Sequence, residues 1–278
     1  MTWRGSVSQA SSAVQLANVA SYIGSSTTPV RSAIDTFYFS AEPILVGVGP
    51  AYFSAHPEQV SGLLYIGLIS STENYFRNIL GMILEVCPVA RQKAAEEKVQ
   101  LGSYLWSGPG IHSRTAFDFI AFSSGKNVTE TFNKFVGYQV KQHGVWKAML
   151  AEYDKLCEIR HGIVHSGLVL SGKNALKLGL SPTASCMQVN PTYATVQEAG
   201  AICTTLVQAA NNELFELMVD RWAGEWRQLP SWQVSKQGQL FRKVFKGFFS
   251  TRDQSRGAIA NSASLETLLR RVKREFGV

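Results

Sequence analysis

From Cys157 to His165 the chain reads Cys157-Glu158-Ile159-Arg160-His161-Gly162-Ile163-Val164-His165, placing one arginine and two of the five histidines within six residues. An unperturbed imidazole titrates near pH 6.5 and so gives and takes protons at neutral pH. A guanidinium stays charged, donates in a planar fork, and holds a phosphate while negative charge builds on it. Together these groups suit proton transfer at a phosphate ester with no metal and no other cofactor. On an unbroken helix five residues advance about 500°, leaving Arg160 and His165 about 140° apart but His161 and His165 only about 40° apart. The Arg/His pair is therefore focused only if the helix ends or bends at Gly162, or if a second copy of the chain completes the site.

Other readings of these residues have weaker chemistry. His161 and His165 have the spacing of a zinc-binding His-Glu-x-x-His pair, but Gly162 stands at the glutamate position and no third ligand follows. Arg160 beside Glu158 at a helix terminus is the structural alternative to catalysis. Asp154 and Glu158, four apart and flanking Lys155, read as a solvated helix face. His56, His112 and His143 precede presumed helices and read as surface residues. Cys87, Cys157, Cys186 and Cys203 show no Cys-x-x-Cys spacing and read as small apolar side chains.

The elements that must position the motif are mostly helical. A helix is predicted from about Pro57 to just before Pro88, with Val60, Leu63, Leu64, Leu68, Phe76, Ile79, Leu80, Ile83 and Leu84 at core-facing spacing. A charged helix at 89–105 ends before the turn signal Ser107-Gly108-Pro109-Gly110, and shorter helices follow at 112–123 and 129–140. The motif closes a helix over about 145–165. A small β-excursion is expected at 167–190, turning at Ser171-Gly172-Lys173-Asn174. A long helix then runs from about Thr195 to Trp222, burying Val196, Ala199, Ile202, Leu206, Ala210, Leu214, Leu217 and Met218. Residues 1–35, rich in Ser, Thr and Ala, read as a partly ordered arm, and the breaker-bounded run at 36–52 as extended or loop structure.

By composition the chain divides into an N-terminal arm and extended segment (1–54), a helical domain (55–222) and a basic, aromatic-rich extension (223–278). The formal charge is +7 and the pI about 9.3, a balance that favours a polyanionic partner. Much of that charge lies in the extension. There Lys236, Arg242, Lys243 and Lys246 alternate with Phe241, Phe245, Phe248 and Phe249, a pattern that either grips a nucleic-acid backbone and stacks bases or docks a phenylalanine face on the bundle. No run reaches the length of a membrane span and no targeting segment is evident, so a cytoplasmic location without membrane contact is expected.

Arg160-His161-Gly162-Ile163-Val164-His165 resembles the motif of the HEPN superfamily, helical bundles whose ribonuclease members carry Arg, a polar residue, and His after four to six intervening positions. Ser71-Thr72-Glu73-Asn74-Tyr75-Phe76-Arg77 is similar to the first core helix of such domains, and the resemblance covers roughly residues 55–222. It implies a mainly α, HEPN-like bundle and a metal-independent endoribonuclease. Two protomers would join their motifs in a homodimer, so that one site holds two copies of Arg160 and His165. In that setting a histidine exchanges protons with the ribose 2′-hydroxyl or the leaving 5′-oxygen, leaving 2′,3′-cyclic phosphate and 5′-hydroxyl ends. His161 becomes a positioning residue or second phosphate donor, and Glu73 or Asn74 orients the histidines from the neighbouring helix.

Some HEPN toxins carry a Tyr two places after the His, where a partner nucleotidyltransferase modifies it. Gly167 stands there in this chain, so that scheme does not transfer. A toxin or antiviral effector restrained or triggered by an inhibitor or activator protein is the expected role. The alternatives are a catalytically silent HEPN-like module binding RNA or protein, and a helical adaptor dimerising through its long helices.

Overall fold

The computed structural model describes residues 15–16, 18–24, 31–98, 101–105, 112–259 and 264–278. Residues 1–30 and 31–278 form separate compact units, and the described part of the first is a single 3-10 turn, Val19–Tyr22, capped by the Asn18 side chain. Most of the predicted arm, and the turn signal at 107–110, lie outside the described residues.

In the second unit the helices are α1 (Ala33–Leu45), α2 (Pro50–Ala55), α3 (Glu58–Val86), α4 (Pro88–Ala94), α5 (Leu101–Leu105), α6 (His112–Thr115), α7 (Gly125–Val136), α8 (Val145–Ser166), α9 (Gly172–Lys177), α10 (Tyr193–Ala223), α11 (Gln237–Phe248), α12 (Thr251–Ser255) and α13 (Leu265–Phe276). At 29 residues, α3 is about 43 Å long. It is the axis of the bundle: α1, α8, α10 and α11 all pack on it. That surrounding explains why Tyr65, Leu68, Ile69, Thr72, Tyr75, Phe76, Ile79, Leu80 and Ile83 are all buried, more than one stripe of the helix. Leu63, expected in the core, is instead exposed.

The long helices agree with the sequence reading, and α10 starts at a reciprocal Thr192/Thr195 capping box. The differences lie where breakers dominate. Residues 36–52 were expected to be extended but are mostly helical, in α1 and α2, because Ala33, Ile34, Phe37, Tyr38 and Ala41 recur at helical spacing and bury against α3 and α10. Pro43 lies in the last turn of α1 and has no N–H to donate to the Phe39 carbonyl. The predicted 89–105 helix is two short ones, and those at 112–123 and 129–140 are His112–Thr115 and Gly125–Val136. The Asp154 carboxylate accepts from the Gly125 N–H at 2.7 Å, and Ser124 caps the same helix start.

Among the described residues no strand forms at 167–190. One antiparallel bridge pairs Val169 with Gln188, supported by Leu170 N–H to Met187 C=O and Val189 N–H to Leu168 C=O, and α9 occupies the intervening turn region. The basic extension docks on the bundle. Phe241, Val244 and Phe248 are buried, and the Trp222 indole N–H donates to the Gln237 carbonyl at 3.1 Å. No described helix is long and apolar enough to cross a membrane.

Candidate active site

The motif occupies the last two turns of α8. Trp146, Leu150, Tyr153, Leu156 and Cys157 bury one face of that helix, and the Tyr65 hydroxyl donates to the Leu156 carbonyl, fixing α8 against α3. Gly62 of α3 lies under Ile163 and Leu168. A larger side chain at Gly62 would push this end of α8 outward.

The helix does not end or bend at Gly162. It continues to Ser166 and stops at Gly167, whose φ of 56° is left-handed, with the Leu168 N–H returning to the Gly162 carbonyl at 3.0 Å. Leu168 also has positive φ, 76°, a conformation costly for a branched side chain. Its near-complete burial (1% exposed) offsets that strain. Gly162 is itself buried because the bridged loop crosses it: a Cβ there would meet Val169 O and Val189 Cγ2 at 3.2 Å. This crossing holds the end of α8 while leaving its outer face open.

On that outer face His161 and His165 are exposed, ring centroids 5.4 Å apart and nearly perpendicular. Exposed Val164 lies between them on the same face. Arg160 is half-buried, and its Nε is fully buried with no hydrogen-bond partner. The proposed structural partner is committed elsewhere: Glu158 pairs with Lys177, and its carbonyl accepts from Asn174 at 3.1 Å. Among the described residues Arg160 makes no ion pair. Because α8 is unbroken, Arg160 and His165 remain about 140° apart around its axis and about 7.5 Å along it. One chain therefore does not bring the two groups together.

The other candidate residues are not brought to these. Glu73 pairs with Arg77 at 3.1 Å, and Asn74 accepts from Arg114 at 2.7 Å. With Gly62 at the level of Ile163, they lie about 17 Å farther along α3. They therefore brace the α6 side of α3, and the expected orientation of the histidines by Glu73 or Asn74 is not made within one chain. Lys236, Arg242, Lys243 and Lys246 are exposed on α11 and the turn before it. Gly247 packs on Met82, which puts this cationic face about 30 Å along α3 from the Gly62 level.

Neither Asp154 nor Glu158 is a free acid: the first caps α7 and the second holds Lys177. His143 is exposed, and His56 stacks on Tyr52 at 4.0 Å with Nδ1 against the Tyr52 carbonyl. Among the described residues no three of His, Cys, Asp and Glu gather into a metal-binding group. Neither a protein-family model, a curated protein nor a solved structure matches the chain.

Proposed function

We propose that the chain is a metal-independent, HEPN-type endoribonuclease in which Arg160 holds the scissile phosphate and His165 moves the proton, with His161 as a second phosphate donor or positioning group. The observation that carries this reading is the presence of a guanidinium that pairs with no carboxylate among the described residues, together with two open imidazoles 5.4 Å apart, on the last turns of a core-anchored helix. A merely structural arginine is expected to have an acidic partner, and the nearest in sequence, Glu158, is engaged by Lys177. The angular separation on α8 favours a site completed by a second copy of the chain. Exposed Val164 supplies apolar surface beside the histidines for that contact.

The exposed cations of α11 support RNA as the polyanion, engaged about 30 Å from the cut. That separation suits an extended substrate of several nucleotides. A role as a toxin or antiviral effector under the control of a second protein agrees with an open, unblocked site. The alternative, a catalytically silent module that binds RNA or protein, draws on the same exposed cations without needing the Arg/His geometry.

Incubating purified wild-type, Arg160→Ala and His165→Ala proteins with RNA in EDTA tests the reading. Cleavage by the wild type, leaving 2′,3′-cyclic phosphates, is expected to fall by about 10²-fold or more in each variant. Salt-sensitive RNA binding with no cleavage by any of the three favours the silent module.

A further inference from the structure

A second, unrelated site lies where the basic extension folds back on the bundle. A cavity of about 460 Å³ opens between α1, α10, α11, α12 and α13. This is within the usual range for small-molecule sites, roughly 300 to 1,000 Å³. Its apolar side is aromatic: Phe245 and Phe249 stack at 4.7 Å, and Phe215 packs on Phe248 at 5.7 Å.

Its polar side mixes amide groups with two acceptors. Asn211 is 6% exposed and donates its amide N–H to the Phe248 carbonyl at 2.9 Å, which fixes the amide orientation and leaves Oδ1 buried without a protein partner. Among the described residues Asp253 is the one ionisable residue lining the cavity, and it accepts from the Tyr38 hydroxyl at 3.1 Å. The neighbouring arginines, Arg252 and Arg256, are drawn instead to Glu42. Gln208 donates to Tyr38 at 2.8 Å, spending a donor rather than offering one to the cavity.

Flat aromatic walls, one carboxylate with no ion pair among the described residues and one unmatched carbonyl oxygen together ask for a ligand with an apolar ring and a positively charged donor. We propose that this cavity binds an arylalkylamine, its ring against Phe245 and Phe249 and its ammonium on Asp253 and Asn211. The site is separate from the Arg160/His165 motif and does not depend on that reading: α10 residues 208–215 lie beside the start of α8, where Gly144 meets Glu213, some 25 to 30 Å from His165 along the helix.

The test uses the full-length protein, with tryptamine and the acidic indole-3-propionate titrated calorimetrically. Tryptamine is expected to bind at least tenfold more tightly than the acid, and to lose about tenfold in Asp253→Asn, which keeps an acceptor for Tyr38. Phe249→Ala, at a half-buried position, is expected to weaken tryptamine similarly. Thermal melts confirm that both variants remain folded. Equal binding of amine and acid, preference for the acid, unchanged affinity in the folded variants, or no tryptamine binding at millimolar concentration would overturn the proposal.

Discussion

The roles proposed for Arg160, His161 and His165 rest on residue type and spacing, which the sequence states directly. Their freedom was not legible. Whether Glu158 neutralises Arg160 depends on Lys177, nineteen residues away on α9, and only the folded chain assigns that pair. The same limit misplaced Glu73 and Asn74, whose partners are Arg77 and Arg114, and hid the bond from Asp154 to Gly125. The cysteines show the opposite case, since composition alone marked them as apolar and burial agrees for three of four. Cys87, Cys157 and Cys203 are buried, and burial pushes the Cys203 thiol up to about 12 and the Cys157 thiol higher still. Buried thiols held in the protonated form are poor nucleophiles. Maleimide at pH 7.5 is accordingly expected to label one site per folded chain, the exposed Cys186, and all four after denaturation, read by intact-mass spectrometry.

At the scale of elements, α3 and α10 followed from hydrophobic periodicity, whereas α1 was masked by Pro43, Gly47, Gly49 and Pro50. Tyr38 and Glu42 of α1 bond Asp253, Arg252 and Arg256, and the most deeply buried tie between α1 and α12 is the Asp35 carboxylate. Buried Asp35 accepts from Ser250 Oγ at 2.9 Å, Thr251 N–H at 3.0 Å and Thr251 Oγ1 at 2.6 Å, so a side chain of α1 satisfies the start of α12. Sequence periodicity has no access to a bond spanning over 200 residues. Asp35→Ala strands those donors and is expected to cost about 3 kcal/mol of stability in urea denaturation, with Asp35→Asn costing less. The docked Phe face of α11 leaves its cations outward, 30 Å or so from the motif along α3. Replacing Lys236, Arg242, Lys243 and Lys246 together by Ala is therefore expected to weaken binding of a 20-nucleotide RNA and flatten its salt dependence. Cleavage of a tetranucleotide, too short to span both regions, should remain within about twofold.

For the whole molecule, the interior is rich in protonated groups that the unfolded chain releases more readily. Burial raises the thiols of Cys157 and Cys203 above their ordinary value of 9.0 and the hydroxyls of Tyr65, Tyr75 and Tyr153 above 10.0. Above pH 9 the unfolded chain holds fewer protons than the folded one, so stability falls as pH rises. These groups should leave denaturation midpoints flat between pH 6 and 8 and lower them progressively from pH 9 to 11. The measurement that bears most directly on the central claim also belongs at this scale, because the proposed reading has a second copy bring its Arg160 and His165 to those that an unbroken α8 holds apart. Arg160→Ala and His165→Ala proteins, each folded, dimeric and inactive alone, are to be unfolded together, refolded and assayed on RNA in EDTA. A symmetric dimer holds two cross-protomer Arg160/His165 pairs, and statistical pairing restores one of the two in half the molecules, so recovery of about a quarter of wild-type cleavage is predicted. A mixture that forms heterodimers and remains as inactive as either variant would contradict it.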